Sequence, residues 1–181
     1  MSVFSPYRFA IVSHTSKLET VMKSTMRDHE ISLDFFDFSY KDPLRMVRNL
    51  LDQGYEIVIC YSALGTSLLY ELGSSFVVIP RDDFEIIKAL SAAKKIAPNI
   101  ALTVCETENI DTELIESLLS IKIKKIMFNS LETLSNALDK AINEGIQVLV
   151  GGGLSYAKAQ KHAIPFFRIK PNQHNIEHAI I

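Results

Sequence analysis

Gly54-Tyr55-Glu56-Ile57-Val58-Ile59-Cys60 returns 91 positions later as Gly145-Ile146-Gln147-Val148-Leu149-Val150-Gly151. Each copy is a glycine followed by a short, nearly continuous apolar run. That pattern predicts a strand buried on both faces of a parallel sheet. The likeness keeps its phase downstream. Leu64 matches Leu154, Phe76 matches Phe166, Ile79 matches Ile169, Ile86 matches Ile176 and Ala89 matches Ala179, each 90 apart. Two unrelated βαβ units share a generic hydrophobic pattern. Register held across strand, loop, helix and the next strand instead favours pseudo-symmetry.

Working outward, strands are expected near 7–13, 31–38, 56–61, 76–79, 100–105, 124–128, 147–150 and 165–169. Amphipathic stretches lie between them. Lys17–His29 is one. Asp42–Gln53 has Pro43 in its first turn and Gly54 just past its end. Phe84–Ile96 sets Ile86, Leu90 and Ala93 on one face and stops before Pro98. Asp111 precedes the stripe Leu114, Ile115, Leu118 and Leu119, and Ser130–Asn143 closes at Gly145. Such alternation predicts an α/β fold with right-handed crossovers. The expected architecture is two pseudo-symmetric Rossmann-like or flavodoxin-like lobes, each a three-layer αβα arrangement on a parallel sheet, with a ligand cleft between them. Residues 1–80 form the first lobe and 81–171 the second, with a crossover helix at 82–97. Residues 172–181 form a helix returning toward the first lobe.

Composition narrows the function classes. The chain has 181 residues, 48% hydrophobic and 22% charged, with a formal charge of −2. That apolar fraction supplies a core and excludes a disordered chain. A near-neutral charge argues against a nucleic-acid surface. The apolar runs are too short to span a bilayer, and no secretory pattern opens the chain. Two cysteines without metal-type spacing suggest a reducing, cytoplasmic setting.

Three strand-to-helix junctions carry candidate chemistry. The first is Ser13-His14-Thr15-Ser16, the second Ser62-Ala63-Leu64-Gly65-Thr66-Ser67, the third Gly151-Gly152-Gly153-Leu154-Ser155. Small and hydroxyl residues let backbone N–H groups and hydroxyls approach an anion at a helix start. The plainer reading is tight turns and helix caps. The second and third junctions occupy equivalent places in the repeat, which favours a ligand site. Ser13, His14, Ser62, Gly65, Thr66 and Ser67 would line one wall of it. Gly151, Gly152, Gly153 and Ser155 would line the other.

Other chemistries fit less well. A receiver domain needs acidic residues after its first strand and a phosphoacceptor aspartate after its third; Ser13, His14, Tyr61 and Ser62 stand there. The G-x-G-x-x-G fingerprint and the P-loop pattern are absent. Cys60 and Cys105 admit a cofactor-free racemase or isomerase, which requires an exposed thiolate of lowered pKa, although buried small hydrophobes are the simpler reading. A flavodoxin-like cofactor binder is a third possibility. His174 and His178 are four apart on an expected helix and read as surface histidines. Lys122, Lys124 and Lys125 read as a solvated sheet edge.

The stretch 54–90, with Ala63-Leu64-Gly65-Thr66, Phe76-Val77-Val78-Ile79-Pro80 and Phe84-Glu85-Ile86-Ile87-Lys88-Ala89-Leu90, resembles the N-terminal sensory domain of the propionate catabolism activators. Residues 99–105, 143–153 and Ile164-Pro165 continue the resemblance. It implies a non-catalytic sensing domain of a bacterial sigma-54-dependent transcriptional regulator, with no cofactor and no metal. The implied effector is a small anionic carboxylate such as 2-methylcitrate. DNA and ATP would be bound only by output modules outside this chain, and a homodimer is an open option. Family members commonly read S-R-G-G-T where Ser62-Ala63-Leu64-Gly65-Thr66 stands. Arg81, just after the fourth strand, is the candidate for the missing positive charge, since an arginine fork suits a carboxylate. The final helical pattern, ending at Ile181 without a capping residue, suggests an excised sensory domain or a natural chain that lost its output modules.

Overall fold

A computed structural model describes residues 8–13, 22, 33–38 and 42–180. The chain divides into two units. Unit 1 comprises Met1–Pro80 and Pro171–Ile181, and unit 2 comprises Arg81–Lys170.

Unit 1 holds strands β1 (Phe9–Ser13), β2 (Leu33–Asp37), β3 (Ile57–Tyr61) and β4 (Phe76–Val78). They form a parallel sheet in the order β2-β1-β3-β4. Successive side chains of a strand point to opposite faces. Ala10, Val12, Val58 and Cys60 therefore share one core with Val47 and Leu50 of α1 (Pro43–Asp52). Ile11 and Ile59 face the other way and pack with Met22, Ile79 and Ile176. Ile176 belongs to α7 (Gln173–Ile180), so the last helix completes the third layer of the first unit. The helix expected over 17–29 lies outside the described residues except for Met22, which is helical and fully buried.

Unit 2 repeats the plan. Strands β5 (Asn99–Cys105), β6 (Lys122–Phe128), β7 (Leu149–Gly151) and β8 (Phe166–Arg168) run parallel in the order β6-β5-β7-β8. Ile100, Leu102, Val104, Val148 and Val150 meet Ile86, Leu90 and Ala93 of α3 (Asp83–Ala93) and Ile115 of α4 (Thr112–Leu119). The opposite face carries α5 (Leu131–Asn143) against β6, and α6 (Gly153–Lys161) against β7 and β8. Thus α3 follows a strand of unit 1 but packs in unit 2, and α7 follows a strand of unit 2 but packs in unit 1. Ile86 and Ile176, 90 apart, are the anchors of these two helices, at 1% and 0% exposure.

The repeat also extends to the turns. Gly54 and Gly145 both sit at positive φ, +86° and +80°, where a side chain would be strained. Each donates its N–H three residues back, to the carbonyls of Leu51 and Ile142. Past the fourth strands, Ile79 N donates to Cys60 O at 2.8 Å and Ile169 N to Gly151 O at 3.0 Å. These paired bonds tie each repeat's last strand to its third.

Helix starts follow the sequence cues. Asp42 accepts from Arg45 N at 3.0 Å, with Pro43 at the first helical position. Asp82 caps α3, Asp111 caps α4, and Ser130 forms a capping box with Thr133. The lysines of β6 lie on an edge strand, where charge opposes pairing with another sheet. Lys122 pairs with Glu116 at 3.7 Å, and Lys124 pairs with Glu144.

Candidate functional site

In each sheet the chain leaves the two central strands in opposite directions. From β1 it goes to β2 on one side, and from β3 to β4 on the other; β5 and β7 diverge likewise. The crevice outside the carboxyl ends of such strands is the usual ligand position in open α/β sheets.

In unit 1, Ser13 ends β1 beside Tyr61 at the end of β3. Its residue is 8% exposed, and its Oγ has no hydrogen-bond partner among the described residues. A buried hydroxyl without a partner is uncommon and costs stability. After β3 the chain forms a 3-10 turn over Ala63–Leu68 and a single α-turn, α2 (Leu69–Leu72). Ser62 precedes the turn in extended conformation and makes no capping bond with its side chain. Gly65 N donates to Ser62 O at 2.9 Å, and Thr66 Oγ1 donates to Ala63 O at 2.8 Å, so the threonine hydroxyl closes its own turn. Gly65 passes close over β3: a Cβ there would lie 2.9 Å from Cys60 Sγ and 3.3 Å from Val78 Cγ2. Leu64 is buried at 4% exposure. His14 and the side chain of Ser67 lie outside the described residues.

In unit 2 the equivalent junction is closed by internal bonds. Ser155, in the first turn of α6, is 1% exposed and bonds through Oγ to Thr103 Oγ1 at 3.2 Å. Gly151 lies under that bond. A Cβ there would overlap Thr103 Oγ1 and sit 3.0 Å from Ser155 Oγ. Gly152 precedes α6 in extended conformation with open space around its Cα, and Gly153 is the first helical residue.

Arg81 does not offer a free charge. Its Nε and Nη2 form a fork on the two carboxylate oxygens of Glu108, with side-chain exposures of 7% and 12%. Nη2 also donates to Thr103 O at 3.2 Å. Glu108 Oε2 accepts in addition from Cys105 N at 2.8 Å, at the carboxyl end of β5. Glu108 and Thr103 are the two residues here that sequence reasoning did not single out. Thr103 had a signal, being the one polar residue inside the run Ile100-Ala101-Leu102-Thr103-Val104-Cys105. Glu108 had none, since one acid among several in a loop has no periodic signature.

The cysteines are placed for packing. Cys60 and Cys105 are free thiols at 0% and 1% exposure. Burial pushes the Cys60 thiol far above its ordinary pKa by disfavouring the thiolate. Thr107 Oγ1 lies 3.3 Å from Cys105 Sγ. Neither thiol has the exposure that a racemase's catalytic thiol needs. His174 and His178 are exposed on α7 and meet edge to face, with centroids 4.4 Å apart. Among the described residues no group of three or more His, Cys, Asp or Glu side chains could hold a metal. No described helix is long and apolar enough to cross a membrane.

Comparison with known proteins adds the family. The sequence profile described as "Propionate catabolism activator" matches residues 27–181. No curated protein sequence matches the chain. Among solved structures, the chain is similar to an NtrC family transcriptional regulator from Clostridium acetobutylicum. The TM-score is 0.85 at 20% identity, covering 96% of this chain and 92% of that one. It is more distantly similar to the ABC domain from Streptococcus pneumonia solved in complex with L-Trp. There the TM-score is 0.53 at 9% identity, covering 93% and 81%. At these identities the likeness shows a shared two-unit α/β fold.

Proposed function

The chain belongs to the propionate catabolism activator family as a regulatory sensor domain, and from that premise we propose that it senses a small carboxylic acid, of the 2-methylcitrate type, for a sigma-54-dependent transcriptional regulator. The observation that carries the reading is the family match over residues 27–181. DNA and ATP then belong to other modules of such a regulator. The effector binds at the carboxyl ends of the central strands. Ser13, with a buried hydroxyl lacking a described partner, and Ser62, with no capping bond, are the side chains with hydrogen bonds left to give. In unit 2, taken by itself, the N–H groups at the start of α6, reached over the open Cα of Gly152, are a separate favourable place for an anion. Gly65 and Gly151 serve by letting the backbone lie close to the strands, and Thr66 and Ser155 by holding their turns.

Sensing requires that the acid bind one conformational state better than another. Isothermal titration of the 181-residue chain with a panel of small carboxylates, 2-methylcitrate included, tests the reading. Saturable heat from at least one acid is expected. A panel in which no acid binds would sink it.

A further inference from the structure

We propose that Arg81 and the backbone N–H of Cys105 form a carboxylate-binding site in unit 2 that Glu108 of the same chain fills when no ligand is bound. This inference rests on the carboxylate-sensing reading above and names a place within unit 2 where a carboxylate of such an acid is held.

The geometry is that of an occupied anion site. Three donors converge on the Glu108 carboxylate: Nε and Nη2 of Arg81, and Cys105 N at 2.8 Å. A planar guanidinium fork with a backbone N–H beside it is how proteins hold a carboxylate from outside. The site stands at the carboxyl end of β5, beside the point where β5 and β7 diverge, the position that open α/β sheets give to ligands. Arg81 is further aligned by its bond to Thr103 O, 3.2 Å away on the same strand.

Donors and acceptor differ in how firmly they are held. Cys105 is the last residue of β5, and Arg81 directly precedes Asp82, the cap of α3, whose carboxylate accepts from Phe84 N at 2.6 Å. Glu108 lies in the irregular link between β5 and α4, fastened locally by Glu108 N to Cys105 O at 2.9 Å. A rotation of the Glu108 side chain would vacate the site without disturbing its donors. Opening without a replacement would strand a buried guanidinium. The favourable event is therefore an exchange of one carboxylate for another. The exchange changes the link between β5 and α4, which gives ligand binding a structural consequence.

Glu108→Ala removes the tethered carboxylate and keeps the donors. Thermal unfolding of the 181-residue chain is followed in acetate and in chloride at equal ionic strength. Acetate is expected to raise the Tm of Glu108→Ala saturably, by about 3–6 °C over chloride. Wild type should respond equally to both salts, and the Arg81→Leu/Glu108→Ala double variant should lose the acetate effect. Equal responses of Glu108→Ala to acetate and chloride, or an acetate effect that survives in the double variant, would overturn the proposal. Where Glu108→Ala does not fold in chloride, recovery of folded protein in acetate supports the site, and failure to recover it overturns it. In wild type, an acid that gives saturable heat should also move the Cys105 amide resonance. An acid that binds and leaves that resonance in place overturns the exchange while the sensing reading stands. Acetate rescue with no acid binding to wild type overturns the sensing reading while the carboxylate site stands.

Discussion

The two units share one strand order and one set of turns, yet the carboxyl ends of their central strands are finished differently. In unit 2 the polar groups there are satisfied from within: Arg81 by Glu108, Glu108 also by Cys105 N, and Ser155 by Thr103. In unit 1 the hydroxyl of Ser13 is buried without a partner among the described residues, and Ser62 leaves its helical turn uncapped. The lesson is that duplication conserves what builds the sheet and releases what stands at its end. Backbone ladders and apolar faces must be kept in both copies for either to fold. The residues past the strand ends are free to diverge: Ser155 and Thr103 bond to each other in one copy, and the Ser13 hydroxyl has no partner among the described residues in the other.

Breaking the closed side should have the largest effect. Arg81→Ala and Glu108→Ala each leave a charge without its partner in a largely buried site. Each is expected to cost about 3–4 kcal/mol in urea unfolding. The double change Arg81→Met/Glu108→Leu, of similar volume and without charge, should recover most of that. A loss under about 1 kcal/mol in either single variant would show that the pair behaves as a surface ion pair.

Gly151→Ala comes next. The new methyl would overlap Thr103 Oγ1 and crowd Ser155 Oγ at 3.0 Å. A cost of about 2–3 kcal/mol is expected, reduced by at least half in a Thr103→Ala background. Gly65→Ala, at the junction after β3 in unit 1, should cost about 1 kcal/mol. Its closest neighbour is Cys60 Sγ at 2.9 Å, and one sulfur and one methyl can shift more readily than a bonded pair of hydroxyls. Equal costs at the two glycines would erase the contrast between the junctions.

Ser13→Ala is expected to have the smallest effect on stability and the opposite sign. Removing a buried hydroxyl that lacks a partner among the described residues should leave urea stability unchanged or raise it by up to about 1 kcal/mol. The same variant should bind more weakly any acid found by titration. A clear loss of stability with affinity intact would mean that Ser13 is bonded inside the fold.

Much of the fold was legible because it is written in short-range periodicity. The runs around Val58 and Val150 are too apolar for anything but buried strands, and Gly54 and Gly145 mark the turns before them at positive φ. The 90-residue phase from Phe76 to Phe166 and from Ile86 to Ile176 marked the duplication, and both pairs take equivalent places in the sheets and helices. The candidate site was legible only as a neighbourhood. Thr66 and Ser155 stand at strand-to-helix junctions as expected, but each hydroxyl is used internally. Hydroxyls and glycines at a junction serve caps, close packing and ligands alike, and sequence does not separate the three uses. Arg81 stands out in the sequence by its charge just after a strand, whereas Glu108 is one acid among several in a loop.

By itself, then, the amino-acid sequence determined the α/β class, the approximate positions of the described strands and of helices such as α1, α3, α4 and α5, the twofold repeat and the family. Each of these depends on residue spacing along one element or on phase between copies. Only the tertiary structure decided which polar groups meet. Arg81 and Glu108 are 27 residues apart, and Thr103 and Ser155 are 52 apart. Their meeting depends on β5 lying beside β7 and on α3 crossing into unit 2. Hydrophobic burial drives those arrangements without direction, and the polar contacts are set only once the strands are in order.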